Sequence, residues 1–178
     1  MINEFKTKLN GAMEHLDRDL GKLRTGRANP AMLDSVLVEA YGSKMPLANV
    51  AMISIPEARQ LLVKPFDPNT IGDVEKAIEV ANLGFNPTND GETLRITIPQ
   101  LTEELRRDIA KDAKKAGENS KITIRNIRKD AMDAIKKDAE LTDDQKKGLE
   151  TNVQDLVNEY NKKVDEVVKA KEAEIMTI

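Results

Sequence analysis

The 178-residue chain has no cysteine, no tryptophan and a single histidine. Without thiols it can form no disulfide, which fits a reducing compartment and favours a cytoplasmic location. One imidazole and no thiol cannot build a zinc site of nitrogen and sulfur ligands. The histidine, His15, lies beside the apolar stripe of a predicted helix, and we assign it a packing or surface role. We therefore predict no metal centre and no cofactor.

Long hydrophobic runs and catalytic motifs are also missing. No segment approaches the roughly 18 consecutive apolar residues of a membrane-spanning helix, so no membrane association is predicted. The first residues do not follow a basic start with an apolar run, which predicts no secretory leader. Glycine-rich phosphate loops and a nucleophile elbow are absent. Acidic pairs such as Asp143-Asp144 stand at predicted helix starts, where capping explains them better than catalysis. The chain is not predicted to be an enzyme.

Helical patterns are present at both ends of the sequence. In the first 24 residues, apolar side chains recur every three or four positions, from Ile2 to Leu23. The same period runs from about residue 103 to the end, where two long helices are predicted to begin after the N-caps Thr102 and Thr142. A lone N-terminal helix cannot bury its own stripe, so we predict that it packs on the two C-terminal helices.

The apolar seams of the two long helices repeat every eleven residues. Positions 105, 116 and 127 in one helix and 149, 160 and 171 in the other are eleven apart. The full predicted seams are Leu105, Ile109, Ala113, Ala116, Ser120, Ile124, Ile127, Ala131 and Ile135, and Leu149, Val153, Leu156, Tyr160, Val164, Val167, Lys171, Ile175 and Ile178. An 11-residue repeat gives about 3.67 residues per turn, close to that of a straight α-helix. The pattern therefore predicts an elongated three-helix bundle.

A β-rich segment separates the two helical regions. Its hydrophobic runs predict four short strands, at residues 36–38, 50–55, 61–63 and 93–98, and one helix at residues 71–82. Within residues 31–102 there are five basic and nine acidic residues, so the segment is acidic while the rest of the chain is nearly balanced. We predict an α+β fold: a discontinuous helical bundle, residues 1–29 with 103–178, and an inserted β/α/β domain, residues 30–102.

One face of the second long helix carries a row of cations, which we call the basic stripe. Seven of nine positions at helical steps are basic, namely Arg107, Lys111, Lys114, Lys121, Arg125, Arg128 and Lys136, with Glu118 and Met132 interrupting. An ordinary solvated helix face can look like this. The protein as a whole is acidic, however, and paired arginines suit neighbouring phosphates, which favours RNA binding through shape and backbone. The scarcity of aromatic residues argues against stacking on single-stranded bases.

Several motifs resemble those of bacterial ribosome recycling factors, in the same order and over essentially the whole chain. They are Leu23-Arg24-Thr25-Gly26-Arg27-Ala28-Asn29-Pro30, Val74-Glu75-Lys76-Ala77-Ile78, Leu83-Gly84-Phe85-Asn86-Pro87, Leu101-Thr102-Glu103-Glu104, Arg125-Asn126-Ile127-Arg128-Lys129-Asp130 and Lys171-Glu172-Ala173-Glu174. The sequence departs from the family pattern at Leu105, where the family usually has arginine, although Arg106 and Arg107 follow.

The resemblance implies an L-shaped, tRNA-sized protein whose bundle and smaller domain meet at a flexible corner. It implies binding between the subunits of the post-termination ribosome, and splitting of the subunits with elongation factor G and GTP so that mRNA and tRNA leave. We expect a cytoplasmic monomer whose bundle binds large-subunit rRNA through Arg106, Arg107, Lys121, Arg125, Arg128 and Lys129. The expected hinge residues are Arg27, Asn29, Pro30, Pro99 and Thr102.

A second interpretation of the same residues is a helical-bundle interaction or scaffold protein that recruits another helix without binding RNA. Salt dependence separates the two hypotheses. Backbone contacts to RNA weaken steeply as salt rises, whereas an apolar helix interface does not.

Overall fold

The computed structural model describes residues 1–177, which form two compact units. The first unit consists of Met1–Thr25 and the chain from Thr102 onward, and the second consists of Gly26–Leu101. The predicted boundaries, after residues 29 and 102, lie four residues and one residue beyond the boundaries of these units. Among residues 1–177, no helix is long and apolar enough to cross a membrane.

The elements alternate between long helices at the chain ends and short strands between them. The helices are α1 (Ile2–Gly21), α2 (Leu47–Val50), α3 (Ile71–Val80), α4 (Glu103–Lys137) and α5 (Asp143–Met176). The strands are β1 (Leu37–Ala40), β2 (Ser43–Pro46), β3 (Ala51–Glu57), β4 (Gln60–Pro65), β5 (Pro87–Asn89) and β6 (Leu94–Thr97). Two 3₁₀ helices cover Pro30–Leu33 and Pro68–Thr70.

Threonine caps start both long helices, as predicted. The hydroxyl of Thr102 accepts a hydrogen bond from the Leu105 amide at 3.2 Å. At α5, Thr142 and Gln145 form a capping box, in which each side chain bonds the other residue's backbone amide. Both helices then continue for more than 30 residues, about 50 Å each.

The three long helices pack on one another along a shared apolar seam. On α1 the predicted stripe is confirmed, with Phe5, Leu9, Leu16 and Leu20 buried. The hydroxyl of Tyr160 on α5 donates to the side chain of Asn10, which ties α1 to α5. The N-terminal helix is therefore part of the bundle core.

The predicted seams and their 11-residue repeat are confirmed, since every described member except Leu105 is buried or half-buried. The fully buried side chains spaced by eleven are Ala113, Ile124 and Ile135 on α4 and Val153, Val164 and Ile175 on α5. Leu105, predicted to start the seam, is 40% exposed, and the neighbouring Arg106 is buried instead. At the start of α4, neighbouring positions both fit the period, so periodicity alone does not say which of the two is buried. The predicted seam residue Ile178 lies outside the described residues.

Gly117 is buried on the face of α4 that packs against Val168 of α5. A methyl group at this position would lie 2.6 Å from Cγ2 of Val168, and a valine in a helix has one strongly preferred rotamer. We therefore expect Gly117→Ala to lower the free energy of unfolding by about 1 kcal/mol, because overpacking outweighs the better helix propensity of alanine.

Gly148 on α5 gives a matched control, since a methyl group there meets nothing within 4 Å. Gly148→Ala should raise the free energy of unfolding by up to about 1 kcal/mol. Urea denaturation of the two variants measures the difference. Equal stabilisation by both substitutions would show that α4 and α5 do not meet tightly at Gly117.

The second unit is built on a four-stranded antiparallel sheet in the order β3-β4-β6-β5, beside the separate hairpin of β1 and β2. Leu61, Val63, Leu94 and Ile96 lie on one face of the sheet, and they share a buried core with residues of α3 and β1. The predicted strands and helix are confirmed, although β2, α2 and β5 were not predicted. The predicted turn at Asn89-Asp90-Gly91 forms with Gly91 at a positive φ of 100°.

Candidate nucleic-acid interface

The basic stripe lies beside the buried seam of α4. Five of its seven residues are exposed, and Lys121 and Arg128 are half-buried. Lys129, which follows Arg128, is also exposed. Steps of three and four keep each set in its own row, and at about 100° per residue the two rows lie side by side, roughly 100° apart around the helix. The cations therefore face solvent along most of the length of α4.

Arg106 does not belong to this surface. Its side chain is buried, and Nη1 donates to the carbonyl oxygens of Ile175 and Thr177 at 2.8 and 2.7 Å. These two carbonyls lie at the C-terminal end of α5. The last carbonyls of a helix have no hydrogen-bond donor within the helix, and the helix dipole favours a cation there. We therefore remove Arg106 from the set of RNA-binding candidates, since its guanidinium is used to close the bundle.

Loss of the Arg106 guanidinium should affect folding. We expect Arg106→Ala to lower the free energy of unfolding by about 1.5–3 kcal/mol, the range for hydrogen bonds to charged groups. The neighbouring Arg107→Ala removes only an exposed ion pair with Glu103 and should change stability by less than about 0.5 kcal/mol. Thermal unfolding of the two variants measures this contrast. Similar unfolding curves for both would contradict the capping role.

Residues of α5 border the basic stripe because the stripe flanks the seam on which α5 packs. Nζ of Lys121 lies 2.6 Å from a carboxylate oxygen of Asp165. Further along, Nε of Arg128 donates to Oε1 of Gln154 at 2.8 Å. The acidic partner reduces the charge that Lys121 offers to another anion, whereas the neutral amide leaves the charge of Arg128 uncompensated.

Among residues 1–177, a group of cations without carboxylate partners lies at the motif that contains Arg125, Arg128 and Lys129. Within the described part of the chain, none of these three side chains forms an ion pair. Arg125 and Arg128 are three residues apart on the same face of α4, so their guanidinium groups can bind adjacent phosphates. This cluster, which we call the arginine cluster, is the part of the stripe best suited to a polyanion.

Other chemistry finds little support in the structure. Within residues 1–177, no group of three or more acidic or histidine side chains is arranged to hold a metal ion. The acidic pair Asp143-Asp144 lies in the first turn of α5, as the capping interpretation predicted. The row of exposed cations on α4 is the candidate site.

The comparison with known families decides the identity. A family model described as ribosome recycling factor matches residues 16–176. The chain belongs to the ribosome recycling factor family. The ribosome-recycling factor of Halalkalibacterium halodurans is 49% identical over 181 residues, which cover 100% of this chain and 98% of the relative. That of Flavobacterium johnsoniae is 48% identical, with coverage of 100% and 96%.

Solved structures of ribosome recycling factors share the fold. A solution structure of the ribosome recycling factor has a TM-score of 0.78 at 34% identity and covers 99% of this chain and 95% of its own. A second structure has a TM-score of 0.63 at 39% identity, with coverage of 99% and 97%. It presents the T. thermophilus ribosome recycling factor and E. coli elongation factor G bound to the E. coli post-termination complex.

Family membership confirms the resemblance seen in the sequence motifs, but the residues of α5 that border the stripe were not predicted. Gln154 and Asp165 belong to no motif that the sequence singled out. Their relation to α4 depends on how two long antiparallel helices slide along each other, which helical periodicity does not fix. The pairing of Lys121 with Asp165 could be predicted from the sequence only if the axial offset between α4 and α5 were already known.

Proposed function

We propose that the chain is a translation factor, not an enzyme, that recycles post-termination ribosomes. In this proposal it binds between the ribosomal subunits and, with elongation factor G and GTP hydrolysis by that factor, separates them so that mRNA and tRNA leave. The observation that carries the proposal is the family match over residues 16–176. Further support is the structural neighbour, a ribosome recycling factor that was placed with elongation factor G on the post-termination complex.

We further propose that the basic stripe is the surface that binds large-subunit rRNA, with the arginine cluster at its centre. Structured RNA presents phosphates in fixed rows, and guanidinium forks bind them without reading base identity. The acidic second unit offers no comparable row, since acidic residues outnumber basic ones there. Arg107 and Lys121 lie on the same face but each has a carboxylate partner, so we give them a supporting role.

We propose a cytoplasmic location and a monomeric state, without a cofactor. The absence of cysteine suits a reducing compartment. The partners in this proposal are the ribosome, through large-subunit rRNA, and elongation factor G.

Backbone hydrogen bonds reduce the number of residues that can act as the hinge. The Ala28 amide donates to the Ala58 carbonyl at 2.7 Å, and the Ile98 amide donates to the Arg59 carbonyl at 2.8 Å. Asn29 and Pro30 start a 3₁₀ helix of the second unit, and Thr102 caps α4 in the first. Arg27 and Pro99 remain in the short connections between these anchored points. We therefore propose that motion is concentrated at Gly26-Arg27 and Pro99-Gln100.

The absence of native cysteines allows this motion to be measured with spin labels. Labels at Glu79→Cys and Asn119→Cys measure a distance between the two units. Labels at Asn119→Cys and Lys147→Cys measure a distance within the bundle. All three positions are exposed. We expect a broad distance distribution for the first pair and a narrow one for the second, because hinges absorb the motion while both bodies stay rigid. Equally narrow distributions would contradict a hinge.

Binding at increasing salt tests the RNA-binding proposal against the scaffold hypothesis. The chain is incubated with isolated large ribosomal subunits, and the bound fraction is measured by sedimentation at several salt concentrations. We expect the logarithm of the affinity to fall linearly with the logarithm of the salt concentration, by close to one unit of slope per phosphate contact. An affinity that does not change with salt would favour the apolar helix interface of the scaffold hypothesis.

A further inference from the structure

Arg128 differs from the other cations of the basic stripe in how it is held. Its Nε donates to Oε1 of Gln154 at 2.8 Å, and Nε2 of Gln154 donates to Oδ1 of Asn158 at 2.9 Å. Gln154 and Asn158 are one turn apart on α5, so two amides in series connect that helix to the guanidinium. Arg128 and Gln154 are both half-buried, which restricts the rotamers open to them.

The direction of these hydrogen bonds follows from the chemistry of the groups. A guanidinium only donates, so the oxygen of the Gln154 amide must face Arg128 and its nitrogen must face Asn158. With Nε occupied, the fork of Nη1 and Nη2 is the part of the guanidinium left for an anion. This fork matches two oxygens of one phosphate in an end-on arrangement.

The neutral partner distinguishes Arg128 from the other bonded cations of the stripe. Lys121 faces the Asp165 carboxylate at 2.6 Å, and Arg107 faces the Glu103 carboxylate at 2.6 Å. An anionic partner competes with a phosphate for the same charge, whereas an amide orients the guanidinium and leaves its charge available. The half-buried Gln154 amide therefore orients Arg128 without neutralising it, whereas a carboxylate at the same position would neutralise it.

We propose that Gln154 is a positioning residue for RNA binding. It fixes Arg128 so that the Nη1 and Nη2 fork meets a backbone phosphate of structured RNA end-on. Gln154 itself touches no phosphate and acts through Arg128. This inference rests on the proposed function, in which the arginine cluster binds large-subunit rRNA, and it adds a residue of α5 to a surface built on α4.

Gln154→Glu tests the requirement for a neutral partner. The substitution preserves the length of the side chain and the helix propensity but places a carboxylate against the guanidinium. We expect it to weaken binding to large ribosomal subunits roughly ten-fold, because a charge-assisted bond within the protein replaces one to RNA. The slope of log affinity against log salt should fall by about one unit.

Asn152→Asp is the matched control for this change. It adds the same negative charge to α5 two residues away, on the opposite face of the helix, at an exposed position. We expect binding within about two-fold of the unmodified chain, since exposed charges at this distance are largely screened. If Gln154→Glu weakens binding no more than Asn152→Asp does, the proposal is overturned.

Gln154→Ala tests positioning without any change of charge. Freeing the Arg128 side chain should weaken binding roughly three- to ten-fold, the usual cost of immobilising one long side chain on association. In an Arg128→Ala background, both Gln154 substitutions should have no further effect on affinity or on the salt slope. A merely structural role of Gln154 would weaken binding equally in both backgrounds and would overturn the proposal.

The same set of variants separates failure of this inference from failure of the proposed function. If Arg128→Ala alone leaves the affinity unchanged, the proposed rRNA surface is wrong and the inference falls with it. If Arg128→Ala weakens binding but the Gln154 variants bind like the unmodified chain, the surface stands and the positioning role is overturned. Thermal unfolding of each variant shows that the bundle remains folded.

Discussion

Arg128→Ala is expected to weaken binding to the large ribosomal subunit roughly 10- to 100-fold, the range expected for loss of hydrogen bonds between charged groups. The salt slope of binding should fall by about one unit. The melting temperature should change little, because Arg128 is only half-buried and its hydrogen-bond partner in the bundle is the neutral amide of Gln154. Sedimentation binding and thermal unfolding measure the two effects separately.

Arg95 provides a control of the same chemistry in the second unit. It is exposed on β6, and its Nη1 donates to the side-chain oxygen of Gln60 at 3.3 Å, so it too is an arginine held by a glutamine amide. Arg95→Ala should leave affinity for the large subunit unchanged. Equal losses for Arg95→Ala and Arg128→Ala would indicate that binding depends on total charge and not on the basic stripe.

Leu16→Ala is expected to lower the free energy of unfolding of the bundle by about 2–5 kcal/mol, the usual cost of a leucine truncated in a packed core. Leu16 is 1% exposed and lies in the middle of the buried face of α1. Urea denaturation followed by the helical circular dichroism signal measures the loss. Leu37, which is 56% exposed on β1, gives the control, since Leu37→Ala should cost less than about 0.5 kcal/mol.

The same reasoning applies to removal of α1 as a whole. A fragment of residues 103–178 should lose cooperative unfolding, because α4 and α5 would expose the seam that Phe5, Leu9, Leu16 and Leu20 cover. Cooperative unfolding of that fragment with the stability of the full chain would show that α1 is dispensable, and the discontinuous bundle would then be wrong.

Local signals in the sequence were sufficient for the starts of α4 and α5 and for the period of the long helices. Thr102 and Thr142 cap the helices by contacts within four residues, so their neighbours in sequence carry the information. The choice between Leu105 and Arg106 as the buried residue depended instead on the carbonyls at the end of α5, about 70 residues away in sequence. Short-range periodicity contains no such information.

In the second unit, too, the sequence predicted the elements with a local hydrophobic pattern and missed those that depend on pairing with other strands. The strands predicted from runs of Val, Leu and Ile are present, since each buries alternate side chains in one core. β2 and β5 were missed because they are three or four residues long and carry Lys44, Thr88 and Asn89 on exposed faces. Such strands are formed by pairing with β1 and β6, not by their own hydrophobic pattern.

For the candidate site, the sequence predicted the row of cations but not how each cation is partnered. Arg125, Arg128 and Lys129 were recognised from spacing and from family resemblance. The burial of Arg106 and the pairing of Lys121 with Asp165 both arise from the antiparallel packing of α4 on α5. The free cations of the surface can therefore be told from the structural ones only after the helices are assembled.

Separation of ribosomal subunits is the measurement that tests the proposed function most directly. Post-termination ribosomes are mixed with the chain, elongation factor G and GTP, and the products are separated by sedimentation. We expect free subunits with the unmodified chain, and far fewer with Arg128→Ala at the same concentration. Ribosomes that remain intact while the chain is bound to them would contradict a role in recycling, and equal splitting by both chains would contradict the basic stripe as its rRNA surface.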